Sequence, residues 1–323
     1  MNYSIVGIRI RVGLQILRIW SWSLGFIFLS SMISTAACSA MPEPNSDRLQ
    51  TSFDSQIQYA DSRQTVDHQQ AFQDLTNADV VYLGETHASP EDHDAQLEII
   101  QELHRRNPRL AIGLEMFQRP FQPILDAYLA GDISADELRQ QSEYDQRWGF
   151  PWSYYAPILE FAQAQNIPVL ALNVPTEITR TVAQSGLEGL DESDLQWIPP
   201  ASDIRTDNRL YQQMLSAIFH QSHHGHGNSD NVENFFLAQV LWDETMAERI
   251  ADYWLTHPKT QLVVLAGQGH LVYGYGIPSR VERRLRGVDG FSQRSLLLNP
   301  GSAADAPVDE NGTPIADYFW INQ

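Results

Sequence analysis

The chain has 323 residues, 43% of them hydrophobic and 19% charged, with a net charge of −19. That is enough apolar residue for a sizeable core and enough length for one large domain or two small ones. No basic patch follows the N-terminus, so nucleic acid is excluded as the expected partner; the acidity favours solubility.

The first 40 residues form a class of their own. Arg9, Arg11 and Arg18 precede an uncharged stretch, Ile19 to Ala40, with an apolar centre at Leu24–Leu29 and small residues after it. This is the layout of a secretory signal or lipoprotein anchor over residues 1–40. Cys38, the only cysteine, follows Thr35-Ala36-Ala37. The setting resembles a bacterial lipoprotein box, with Thr35 where Leu is usual. Lipidation of Cys38, plain cleavage nearby and an uncleaved anchor all remain open. A single cysteine excludes an intramolecular disulfide. One acyl chain binds a membrane only marginally, so stable tethering needs the several chains of a lipoprotein. The expected location is therefore exported, at the cell envelope or periplasm.

Residues 41–70 are rich in Pro, Ser, Asn, Asp and Gln and read as a polar linker, which places the folded domain at 71–323. Four apolar runs then read as strands, DVVYLGETH (79–87), RLAIGLEMF (109–117), IPVLALN (167–173) and QLVVLAGQGH (261–270). Each ends in polar residues: Glu85 and His87, Glu115, Asn173, His270. Ligands bind outside the carboxyl ends of strands in an open parallel sheet, so these side chains are expected to converge on one cleft. After the first run, Ser89-Pro90-Glu91 reads as a helix start and Asn107-Pro108 as its stop. The result is a strand–helix–strand unit with a parallel pair.

Residues 118–165 read as helical and aromatic, with Phe121, Tyr128, Trp148, Phe150, Trp152, Tyr154 and Tyr155, and suggest a helical lobe over the cleft. A short helix and a Pro-ended loop follow over 176–200. A long helix is expected over 232–255, with Phe236, Val240, Ala247, Ile250 and Trp254 as its buried stripe. On it, Gln239 and Asp243 share a face that points either to the cleft or to solvent. Ser295–Leu298 and Tyr318–Ile321 are candidate further strands. The fold class is thus α/β: a mainly parallel central sheet flanked by helices, with an additional helical lobe.

Two segments share the pattern G-x-x-H, Gly84 to His87 and Gly267 to His270. Glycine permits a sharp exit from a strand and close backbone approach. Two histidines with a carboxylate can hold a divalent metal, or act as an acid/base set, or simply make loop hydrogen bonds. His220, His223, His224 and His226 form a second cluster, readable as a metal-binding tract or as a surface segment. The aromatic stretch at 148–155 suits core packing and equally a planar ligand such as a porphyrin, whose iron accepts Tyr oxygen or His nitrogen. There is no C-x-x-C-H for covalent haem, no Walker or Rossmann glycine pattern and no G-x-S-x-G elbow.

Taken together, VVYLGETH, GLEMFQRPFQ, the W-x-x-Y of Trp152 to Tyr155, LALNVP, AQVLWDETMAERI and LAGQGHLVYGYGIPSR resemble the ChaN family of haem-binding lipoproteins, in the Tiki/TraB and erythromycin-esterase-like superfamily. The resemblance covers about residues 70–300 and keeps the motifs in order. It implies an α/β domain with helical additions, haem as cofactor and partner, a role in iron or haem uptake, and paired haems at a homodimer interface. Carried over to this chain, Tyr155 is the first candidate for the haem ligand, with His87 and His270 behind it. Arg119, Arg147 or Arg280 would then meet the propionates. The wider superfamily implies hydrolysis instead, with Glu85, His87, Glu115 and His270 as the matching catalytic positions. In that version His87, Glu115 and His270 hold a divalent metal and Glu85 activates water. Whether the chain is an enzyme stays open, as does a third option, an envelope interaction protein with neither haem nor metal.

Overall fold

The computed structural model describes residues 55–222 and 231–322. Cys38, the expected signal segment 1–40, and His223, His224 and His226 lie outside the described residues. Among the described residues no helix is long and apolar enough to cross a membrane.

In chain order the elements are β1 (Ser55–Tyr59), β2 (Thr65–Val66), α1 (His68–Asn77), β3 (Val80–Glu85), α2 (Pro90–Arg106) and β4 (Leu110–Gln118). The helical lobe follows: α3 (Gln122–Leu129), α4 (Ala135–Gln141), α5 (Tyr144–Arg147) and α6 (Trp152–Gln165). Then come β5 (Val169–Asn173), α7 (Thr176–Ser185), α8 (Arg209–Ser222), α9 (Val232–Thr256), β6 (Gln261–Gly267), α10 (Ile277–Arg284), β7 (Gln293–Leu298) and β8 (Tyr318–Asn322).

These strands form one sheet in the order β2-β1-β8-β7-β3-β6-β4-β5. From β8 to β5 every neighbouring pair is parallel, while β1 is antiparallel to both β2 and β8. Strands buried on both faces read as continuous apolar runs, which is why the sequence signals β3, β4, β5 and β6 so clearly. Alternate residues serve opposite layers. Val81, Leu83, Ile112, Leu114, Val263 and Leu265 pack with Phe72, Leu75, Ile99, Leu103 and Ile158. Val80, Tyr82, Val264 and Ala266 pack with Met246, Ile250, Ile277 and Val281. Truncating a side chain such as Leu83 to Ala in such a core costs about 2–5 kcal/mol.

Two expectations are corrected. Residues 55–70 are not tether: β1 pairs along its length with β8, Ile57 opposite Trp320, and Asp67 caps α1 by accepting from the backbone N–H of Gln69 at 2.9 Å. Ser55–Tyr59 is polar on alternate positions, as suits an antiparallel strand near a sheet margin, and that polarity hides it in composition. Second, β3 and β4 are parallel but are not partners, because β6 lies between them. From β3 the chain runs toward β4 and β5, and from β6 it runs the other way, toward β7 and β8. The adjacent carboxyl ends of β3 and β6 therefore form the topological switch point, where open α/β sheets open a crevice.

Helix α2 starts as expected. The Ser89 hydroxyl accepts from the N–H of Asp92, Pro90 opens the first turn with the acids Glu91 and Asp92 behind it, and His104, Arg105 and Arg106 close the last. Each charge set complements its end of the helix dipole.

Candidate active site at the strand ends

Glu85 ends β3 in register with Gly267, which ends β6. Glu85 is buried and fully engaged: one carboxylate oxygen accepts from the Tyr155 hydroxyl and lies 2.8 Å from His87 Nδ1, and the other accepts from Gln96 Nε2 at 2.6 Å. A buried carboxylate persists only when so satisfied. His93 stacks on Tyr154 at 4.6 Å between ring centroids and places Nε2 3.1 Å from the His87 carbonyl oxygen. Asp92 clamps the turn after β3. It accepts from the Thr86 N–H and from Asn299 Nδ2, both at 2.7 Å, the latter tying the turn to the loop after β7.

Across the switch point, Glu115 of β4 accepts from the N–H of Gly267 at 2.7 Å and faces His270 Nε2 at 3.4 Å. His270 Nδ1 lies 2.7 Å from Asp243 of α9, whose other oxygen accepts from the Tyr211 hydroxyl at 2.6 Å. Asp243 is fully buried, so of its two open orientations the site is the one adopted; Gln239, one turn earlier, is half-buried. Burial pulls the His270 imidazole down, but the Glu115 and Asp243 carboxylates outweigh it and hold it up at about 10. Burial likewise pushes Glu115 up, and the charges of His270 and His87 bring it down to about 2. For His87, burial is outweighed by its hydrogen bond to Glu85 and by the nearby Glu115 charge, so its basicity rises.

Two glycines allow this close assembly. A Cβ on Gly267 would stand 2.7 Å from His87 Nε2, and one on Gly276 would stand 2.2 Å from the His270 carbonyl oxygen. Both are positions where only a missing side chain lets the backbone approach.

Glu85, His87, Glu115 and His270 are thus brought together as the strand ends promised. Tyr155 joins them from α6, fully buried, its hydroxyl donated to Glu85; burial and the Glu85 charge push the phenol far above its usual range. Trp148 and Phe150 wall the other side of His87, at 4.9 and 5.0 Å between centroids. Gln96, His93, Asp92 and Tyr211 were not anticipated. The three-residue spacing of His93 and Gln96 puts those two on one helix face; no local pattern ties Tyr211 of α8 to the site.

The divalent-metal expectation for His87, Glu115 and His270 is not supported. Among the described residues no group of three or more His, Cys, Asp or Glu side chains is placed to hold a metal ion. His270 supplies the reason, since both its ring nitrogens already face carboxylates. Of the three arginines expected at propionates, Arg280 is buried beside Glu244 and Arg119 pairs with Glu248. Arg147, at the rim, pairs with Glu143 and Glu177.

Comparison with known proteins gives a consistent picture. Residues 71–281 match the family model described as haem-binding uptake, Tiki superfamily, ChaN. The solved structure of ChaN of Campylobacter jejuni with cofacial haem is similar with a TM-score of 0.63 at 20% identity, over 83% of this chain and 97% of that one. RETICULATA-RELATED 5 of Arabidopsis thaliana, a chloroplastic protein, is 28% identical over 277 residues. That match takes in 79% of this chain and 36% of the relative, so the chain spans about a third of the relative's length. A solved erythromycin esterase in its open conformation is more distant, with 16% identity, 75% and 76% coverage and a TM-score of 0.43.

Proposed function

Because the chain belongs to the haem-binding uptake family of the Tiki superfamily, ChaN, we propose that it binds haem at the carboxyl ends of β3 and β6. The observation that carries this reading is the pairing of two iron-competent donors with an aromatic wall. The Tyr155 hydroxyl and His87 Nδ1 meet the same Glu85 oxygen, with Trp148 and Phe150 against the His87 ring. Imidazole and phenol oxygen are both haem-iron ligands, and flat aromatic surfaces suit a macrocycle. The donor set therefore fits the group.

Haem, when bound, would supply an iron able to take a nitrogen or oxygen donor, and His87 or Tyr155 would hold it. The chain's own residues have distinct parts. Glu85 orients His87 through Nδ1, which leaves Nε2 as that ring's free nitrogen. It also accepts the hydrogen bond of the Tyr155 hydroxyl, so the same carboxylate orients both donors. Gln96 holds Glu85 in place. Glu115 and His270 lie across the switch point, with Asp243 buried behind His270.

In this reading haem is handled at the cell envelope, by a protein exported through residues 1–40 and tethered through Cys38, with a second copy completing a paired-haem site. The N-terminal layout and the family's haem-binding description support that extension. The test is a haem titration of the purified protein followed by absorbance, with metal analysis of the same sample. A saturable Soret shift at defined stoichiometry is expected. No saturable binding removes the reading.

A second reading has one observation in its favour. Two imidazoles are each oriented by a carboxylate, Glu85 on His87 and Asp243 on His270, the arrangement of a metal-free acid/base pair. In that case His87 is the proton-transferring group in a hydrolase and Glu115 the buried anion opposite it. Loss of hydrolytic turnover in His87→Ala, with the fold kept, distinguishes it; a protein with no turnover on ester or peptide libraries excludes it.

A further inference from the structure

We propose that residues 143–150 form a strap that gates this site, held shut by Arg147 and opened to admit the ligand. The inference rests on the haem reading for what passes the gate, but its structural basis is independent of that reading.

Helix α5 is a single turn bounded on both sides by left-handed backbone, Glu143 at φ 53° and Gly149 at φ 82°. Gly149 meets this conformation at no steric cost and has nothing within 4 Å of its Cβ position, so the backbone there has room to turn. Glu143 is a side-chain-bearing residue in a region such residues rarely adopt. The two left-handed residues are natural hinges, since hinges are a few positions that absorb a large φ/ψ change.

Between and just beyond the hinges sit the side chains that cover the site. Trp148 is 4.9 Å from the His87 ring and 6.3 Å from the Tyr155 ring, and Phe150 is 5.0 Å from His87. Tyr155 has no exposed surface. No planar ligand reaches its hydroxyl, or the broad face of His87, while Trp148 stays where it is. The closed strap and the proposed ligand compete for the same space.

Tyr144 roots the strap in the core against Phe117 and Trp152, and Asp145 pairs with Arg139 of α4; beyond that root, Arg147 holds the outer part of the strap down. The Arg147 guanidinium reaches Gln118 at the end of β4 at 3.0 Å, Glu177 of α7 at 2.9 Å and Glu143 of its own turn at 2.7 Å, and lies 5.0 Å from the Phe121 ring centroid. Arg147 thus joins the strap to the sheet and to a helix outside the lobe. Both acidic partners are more than half exposed, at 54% and 61%. Ion pairs so exposed to water contribute little, which makes this latch easy to release. The fixed groups behind it, Glu85, Gln96 and His93, are buried and fully hydrogen-bonded. A weak clasp over a rigid wall is the profile of a segment that opens locally.

The test uses the full chain without haem and then with it. Hydrogen–deuterium exchange is measured for the wild type, Arg147→Gln and Glu177→Gln; the second variant weakens the latch without touching the strap. Amides of 147–150 are expected to exchange roughly twofold to fivefold faster in both variants, with β4 and α2 unchanged. Stopped-flow haem association is expected to accelerate in the same order. Unchanged exchange in both variants overturns the strap. Faster exchange with unchanged association in a haem-binding protein overturns the gate. A wild type that takes up no haem removes the haem reading, and the exchange data then judge the strap alone.

Discussion

Nδ1 of His270 lies 2.7 Å from Oδ1 of Asp243, from a strand end to the middle of a helix 27 residues earlier in the chain. The contact fixes which ring nitrogen turns toward Glu115. It also converts a histidine that looks like a metal ligand in sequence into a buried cation between two carboxylates.

That pair predicts a pH dependence. His270 binds its proton more tightly folded than unfolded, its pKa rising from 6.5 to about 10. Its contribution to stability is therefore complete below pH 6.5 and is lost as pH climbs toward 10. Glu115 acts oppositely, contributing above 4.5 and losing that contribution as pH falls toward 2. Thermal melts from pH 5 to 10 are expected to show falling stability on the alkaline side. Asp243→Ala leaves a buried imidazole with one partner fewer, costs about 3–5 kcal/mol and flattens that alkaline limb. An unaltered limb in the variant contradicts the assignment.

Gly267→Ala puts a methyl 2.7 Å from His87 Nε2. The ring has to tilt off Glu85 or the end of β6 has to move, at a cost of about 1–3 kcal/mol. Haem affinity is expected to fall more than stability does. Paired titration and denaturant curves measure both, and equal losses would place Gly267 in the scaffold alone.

Tyr155→Phe removes one donor to Glu85 and the candidate iron oxygen together. Weakened Soret absorbance is expected, with a stability loss of about 1–3 kcal/mol for the hydrogen bond given up. Full-strength binding in the titration takes Tyr155 out of the site and leaves His87 as the donor.

Deleting residues 55–66 strips β1 and β2 from β8, uncovers Trp320 and exposes an unpaired parallel edge. Such edges template association between chains. Size-exclusion chromatography is expected to show aggregation and the melt to lose cooperativity. A monomeric, cooperative product would return residues 55–66 to the status of a tether.

Much of the site was legible before any contact was known. Glu85, His87, Glu115 and His270 stand at the ends of apolar runs, and residues in that position in a parallel sheet must share one edge. Ser89 capping α2 and the stripe of α9 were likewise visible, because caps and 3.6-residue periodicity are local signals. Ser55–Tyr59 was not, since an alternating five-residue segment resembles a linker until its partner, some 260 residues away, is known. Asp243 was undecided for a related reason. Periodicity gives a helix face but not what that face meets.

The order of apolar runs, caps and terminal polar residues determined the α/β class and the placing of carboxylates and imidazoles at the strand ends, all properties carried by neighbours in the chain. Only the tertiary structure decided that β6 lies between β3 and β4, so that the two G-x-x-H histidines meet at a switch point. It alone turned His270 toward Asp243 and Glu115, hid Tyr155 behind Trp148, and set Arg147 across three elements. Strand order and side-chain partnership depend on packing between segments far apart in sequence, and no local pattern encodes which segments those are.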